Sequence, residues 1–170
     1  MKIKQVTANG RKRAFEVRTA KDTYYFPFAK AGPVPSGRDP VITVAPDPEL
    51  GNEGFTYQLR SGQEGSVHID SVLEANRDPQ YMAELLMYKL SLAAKQRMSE
   101  SSEPVRDVAA ALGTSAAQIY RLIDPTNYSK SFNQLVQLLD FLDCDVDVQM
   151  SRSQPKRRRA TAARTAPVNL

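Results

Sequence analysis

A single cysteine, Cys144, leaves the chain without an internal disulfide, and a single histidine, His68, lacks the second imidazole or clustered thiols that zinc requires. A lone histidine inside a strand pattern is a structural residue before it is a catalytic one. No run of about 18 uncharged apolar residues occurs, so no membrane span is expected. The opening MKIKQVTANGRKR has no apolar core of the kind a signal peptide carries. Together these absences predict a protein of the reducing cytoplasm. Phosphate-binding loops, dinucleotide fingerprints and nucleophile elbows are missing as well. Asp143, Asp145 and Asp147 alternate around Cys144 but lack the glycine and the closing glutamate of a calcium loop. The expectation is a protein with no cofactor and no metal that is not an enzyme.

What remains suffices for a folded chain. Of 170 residues 41% are apolar and 8% aromatic, enough for a packed core. The net charge of +4 conceals an asymmetry. The last twenty residues, SRSQPKRRRATAARTAPVNL, carry six bases and no acid, whereas residues 78–150 carry six bases against ten acids. A polyanionic partner of the middle segment must therefore find local positive charge rather than a general field.

Up to about residue 70 the pattern is that of strands. Lys2–Val6 alternates, Asn9-Gly10 signals a hairpin turn, and Ala14–Val17 resumes the alternation. Thr23–Phe26, Val41–Val44, Phe55–Leu59 and Ser66–Ile69 are further strand candidates, separated by AGPVPSGRDP and PDPELGNEG. A small antiparallel β domain over residues 1–75 is predicted.

Then the period changes. Asp78-Pro79 is a helix start, with Met82, Leu85, Leu86, Leu90, Ala93 and Ala94 as one apolar stripe of roughly five turns. Ser101–Pro104 breaks it, and a second helix follows with Val105, Val108, Ala109 and Leu112 inward until Gly113 ends it. Ser115–Gln118 fits a capping box and opens a third helix anchored by Ile119 and Leu122, which stops at Asp124-Pro125. Ser131–Gln134 is a second capping box, ahead of Leu135, Leu138, Leu139 and Leu142. Asp145–Met150 alternates strictly and predicts a strand, either joining the β domain or pairing between two chains. The remainder, 151–170, is expected to be a disordered basic tail.

The two short helices flanking Gly113-Thr114-Ser115 have the dimensions of a helix-turn-helix, though an ordinary helical corner would share half of these features. Val108-Ala109, Leu112–Ser115 and Ile119–Arg121 resemble the helix-turn-helix of lambda-repressor-like (XRE) regulators. The stretch RLIDPTNYSKSFNQLVQLLDFLD is similar to the C-terminal DNA-binding domain of HicB-type antitoxins. The likeness spans about residues 100–150. Val105 stands where the family usually has glutamine, and Ala116 and Ala117 occupy places where many members carry polar base-reading side chains. The first 75 residues are unlike the HicB toxin-binding domain and are more similar to a small bacterial β domain that implies no activity.

Pattern and resemblance together predict an α+β protein: a small antiparallel β domain, then a four-helix lambda-repressor-like domain over 78–150 with a short C-terminal strand. The resemblance also implies a dimeric regulator of double-stranded DNA that acts as a repressor. On this reading Arg121 offers its fork to guanine, the alternative being a pair with Asp124 one turn on. Gln118 reaches a phosphate or an adenine, or serves its own cap. Ala116 and Ala117 meet thymine methyls or keep the face small, and Tyr120 points outward. Arg106, Thr114, Ser115, Tyr128, Ser129, Lys130 and Ser131 contact phosphates, and Lys156, Arg157, Arg158 and Arg159 of the tail lie along neighbouring ones. Two further functions remain open: an antitoxin whose β domain faces a toxin and whose DNA binding is autoregulatory, and a structural adaptor that never meets DNA.

Overall fold

A computed structural model describes residues 1–147 and 149, and shows a mixed α+β chain with two three-stranded antiparallel sheets and five α-helices. Strands β1 (Ile3–Asn9), β2 (Ala14–Thr19) and β3 (Thr23–Pro27) form the first sheet in that order. Strands β4 (Val41–Pro46), β5 (Gly54–Leu59) and β6 (Glu64–His68) form the second. All six strand candidates are present. The sheets share one core, because their inward side chains are large and apolar. The Phe15 ring lies 4.8 Å from that of Phe28 and 4.9 Å from those of Phe55 and Tyr57, centroid to centroid. Val17, Leu59, Ile69 and Val72 belong to the same buried set.

Two details depart from the sequence reading. Asn9 pairs with Ala14, so the first hairpin closes through the four residues 10–13, with the Asn9 carboxamide oxygen accepting from the Lys12 amide at 3.0 Å. Ile69 does not end a strand; it begins helix α1 (Ile69–Asn76), which the sequence did not announce. His68 is the reason: at the last position of β6 its Nδ1 accepts from the Asp70 amide at 3.3 Å and caps the new helix. Helix α1 then docks on β3, where the Asn76 side chain accepts from Tyr25 N at 3.2 Å and donates to Tyr25 O at 3.0 Å, in the manner of a neighbouring strand.

Helix α2 (Pro79–Glu100) joins the β unit to the helical unit. Asp78 caps it through Oδ1, 3.1 Å from the Tyr81 amide, and Pro79 occupies the first turn as expected. The helix is longer than the five turns expected, and its apolar stripe is not one face. Tyr81 packs on the β core, while Met87, Leu90, Ala93, Ala94 and Met98 pack on the helical core. Leu86, expected inward, is 51% exposed, because it lies on the span between the two cores.

Helices α3 (Val105–Ala111), α4 (Ala116–Ile123) and α5 (Phe132–Phe141) close the second core around Val108, Ala109, Ile119, Leu122, Leu135, Leu138 and Leu139, all buried. Asp143, with φ of +53°, turns the chain after α5, and Cys144 and Val146 pack back on that core. The strand expected at 145–150 is not seen at Asp145–Asp147 or Gln149, which join no sheet; Val148, Met150 and the basic tail lie outside the described residues. Among the described residues no helix is long and apolar enough to cross a membrane.

Candidate nucleic-acid interface

The corner between α3 and α4 is built by a glycine. Gly113 has φ of +61°, a left-handed conformation in which a β-carbon is strained. Its amide donates to the Ala110 carbonyl at 3.1 Å, and that of Thr114 donates to Ala109 at 2.8 Å. This pair of bonds satisfies the carbonyls left free at the end of α3. Ser115 then caps α4, its Oγ accepting from the Gln118 amide at 3.2 Å.

Helical geometry fixes what α4 offers. Ile119 and Leu122 are fully buried, so residues on the opposite side share one outward stripe: Ala117, Tyr120, Arg121 and Asp124, all exposed. Ala116 and Gln118 flank it, half-buried. Helix α4 is supported from behind by α2, α3 and α5.

The two uses foreseen for Arg121 can be compared directly. Asp124 does not pair with it; its Oδ1 accepts from the Thr126 amide at 2.9 Å and hydroxyl at 2.8 Å, and these bonds hold its carboxyl below the usual range. The Arg121 carbonyl accepts from Asn127 Nδ2 at 3.2 Å, but its guanidinium has no hydrogen bond or ion pair among the described residues. Arg106 on α3 is likewise exposed and unpaired among the described residues.

Both capping boxes are half-formed, for one shared reason. Ser115 and Ser131 each accept from the amide three residues on, yet neither glutamine returns to its own cap. Gln118 Nε2 instead donates to Gln134 Oε1 at 3.3 Å, tying the first turn of α4 to the first turn of α5. The sequence showed the two glutamines at equivalent helical positions, but it could not show that these turns are neighbours.

Lys130 was expected at a phosphate, and the structure assigns it inward. Its ammonium donates to Ser91 Oγ at 2.6 Å, to the Leu122 carbonyl at 3.0 Å and to the Asp124 carbonyl. These oxygens lie at the C-terminal end of α4 and on the buried face of α2. Burial pushes the lysine below its usual range, with Asp124 opposing that shift. With its three donors engaged, Lys130 is an internal tie. Ser91, buried and donating in turn to the Met87 carbonyl at 2.6 Å, is the partner that sequence reasoning missed. Its only signal was a serine inside an apolar helix.

The loop residues divide. Ser129 and Ser131 are exposed, and Thr114 and Ser115 stand at the elbow beside Ala117. Tyr128 is 55% exposed, and it forms one wall of a cleft against α2 and the β unit, opposite Tyr81 and Tyr88. Lys156, Arg157, Arg158 and Arg159 fall outside the described residues. No protein-family model, curated protein or solved structure matches the chain.

Proposed function

We propose that α3, the Gly113 turn and α4 act as a helix-turn-helix within a four-helix, lambda-repressor-like unit, and that the chain is a sequence-specific regulator of double-stranded DNA. The observation that carries this reading is the unpaired guanidinium of Arg121 on the outward stripe of a helix whose other face is fixed in a core. Base reading in the major groove needs both parts: a rigid backing, so that the helix enters without rearrangement, and a donor fork free to meet two guanine acceptors. Ala117 and Tyr120 add apolar contact beside it. Thr114, Ser115, Ser129 and Ser131 add hydroxyls for phosphate oxygens, which fix position without specifying sequence.

The acidic balance of residues 78–150 limits what one copy achieves. With Lys130 engaged internally, Arg106 and Arg121 are the cations this face supplies from α3 and α4. Binding by a dimer to two half-sites about 34–36 Å apart makes up the difference. The chain thus represses by occupying an operator in the cytoplasm, a role that uses binding and no catalysis.

Gel-shift titration of fragments flanking its own gene, at several salt concentrations, tests this. A specific fragment should be bound, with a log–log salt slope corresponding to about two to four phosphates per subunit. Binding that is equal on every fragment would reject sequence-specific regulation.

A further inference from the structure

Between the β unit and the first half of α2 lies a cleft of about 720 Å³ that the proposed DNA contacts leave unused. Part of its lining is aromatic and apolar: Tyr81, Leu85 and Tyr88 come from α2, and Tyr128 is contributed by the helical unit. Three carboxylates, Asp70, Asp78 and Glu84, line it as well. Lys21 is the single cationic side chain among the lining residues, and it is bonded to Gln80 Oε1 at 3.1 Å. The amino terminus at Met1 is held by Glu53 at 3.0 Å. Tyrosine faces beside carboxylates form the environment that guanidinium groups favour, since the ring quadrupole and the anion attract the same cation.

We infer that this cleft is the docking site for the chain's own basic segment, Lys156–Arg159. Charge supports the match: residues 151–170 carry six bases and no acid, while the cleft presents three carboxylates against one lysine. Reach supports it too. The Cys144 amide, bonded to the Leu139 carbonyl at 2.9 Å, anchors the chain on the helical unit. Phe141, Leu142 and Asp143 sit beside Arg97, Glu100 and Glu103, near the C-terminal end of α2. From that level back to Glu84 is about 24 Å along the helix. Lys156 lies twelve residue steps beyond Cys144, a stretch that spans up to about 40 Å.

A nearer acidic group, Glu100, Glu103 and Asp143, is a poorer host. Arg97 already pairs with Glu100 at 3.3 Å, and Phe141 is the single ring lining that site. A segment held in the cleft is withdrawn from phosphates, so docking would set how much of the tail a DNA duplex can recruit.

The test needs no DNA. Tyrosine ring NMR signals of the full chain are compared with those of a variant in which Lys156, Arg157, Arg158 and Arg159 are each replaced by Gln. Tyr88 and Tyr128 should shift between the two chains while Tyr57, in the β core, does not. The difference should vanish in high salt, where the screening length falls to about 3 Å. Glu84→Gln and Tyr88→Ala, at a half-buried and an exposed position of α2, should each move the remaining cleft signals of the native chain towards those of the tail variant. Identical cleft signals in native chain and tail variant would overturn the inference. So would a difference that Glu103→Gln with Asp143→Asn abolishes while Glu84→Gln leaves it intact. A shift that grows with protein concentration would assign the cleft to another copy's tail and overturn self-docking.

Discussion

The side chain of Gln118 donates from Nε2 to Oε1 of Gln134 at 3.3 Å, linking the first turns of two helices that are sixteen residues apart in sequence. This bond occupies an amide that the sequence alone assigned to adenine, to phosphate or to its own cap. A double-mutant cycle of Gln118→Ala and Gln134→Ala should therefore show a coupling of about 0.5–1.5 kcal/mol in stability, measured by urea unfolding. Additive losses would mean that the two amides do not depend on each other.

Arg121 should behave in the opposite way. Its guanidinium has no partner among the described residues, so Arg121→Ala should leave unfolding stability within about 0.5 kcal/mol. The same change should weaken specific DNA binding by about 1–3 kcal/mol, the worth of the bidentate guanine contact proposed for it. Arg121→Lys should lose most of that contact as well, because a lysine has no fork. A destabilised Arg121→Ala protein would show the side chain to be structural.

The elements and their caps were legible in the sequence because each is a local property. Alternation announced six strands, Asp78-Pro79 announced α2, and Gly113 announced the corner, since a left-handed residue after a short helix leaves few other outcomes. Helix α1 was missed because its cap is His68, a residue type that seldom signals a helix start, and because Ser66–Ile69 also reads as a strand. The fates of Leu86, Gln118 and Lys130 were hidden for a different reason. Each depends on which second element lies alongside, and spacing within one helix carries no record of that. For Arg121 the sequence left two uses open, and its freedom from Asp124 became visible only when Thr126 was seen to hold that carboxylate.

Lys130→Met tests the internal tie. The substitution keeps an unbranched apolar stem and removes the three donors, leaving the Leu122 and Asp124 carbonyls and the Ser91 hydroxyl without their cation. A loss of about 1–3 kcal/mol in urea unfolding is expected. A protein that kept its stability and lost only DNA affinity would return Lys130 to the phosphate role.

Gly65 stands opposite Tyr57 across β5 and β6. A β-carbon there would lie 2.4 Å from the end of the Tyr57 ring, which is buried and whose hydroxyl donates to the Pro33 carbonyl. The ring cannot yield without giving up that bond and its contact with Phe15. Gly65→Ala should therefore cost about 1–3 kcal/mol as a clash in a filled core. Gly10→Ala, where nothing lies within 4 Å of the added carbon, should stay within about 0.5 kcal/mol. Equal unfolding midpoints for the two variants would contradict the packing described.

Tyr24 links the β unit to the cap of α2, its hydroxyl donating to Asp78 Oδ2 at 3.1 Å. Burial of the ring, and then the hydrogen bond to the Asp78 carboxylate, push its pKa up to about 12. The unfolded chain ionises this phenol near 10, so the folded state holds the proton longer. The stabilisation is complete below pH about 10 and is lost as pH rises from there through about 12. At pH about 11 the loss from this one group should be about 1.4 kcal/mol. Tyr57 and Tyr81 are shifted the same way by burial and Lys130 the opposite way, so the native chain alone would not isolate Tyr24. Comparison with Tyr24→Phe does, because those groups are common to both proteins. At neutral pH the variant should be less stable by about 1 kcal/mol for the lost bond. By pH about 11 that deficit should shrink to nothing or reverse, since the variant has no phenol to ionise. A deficit that stays constant across the range would show that the Tyr24 hydroxyl titrates alike in the folded and unfolded chains.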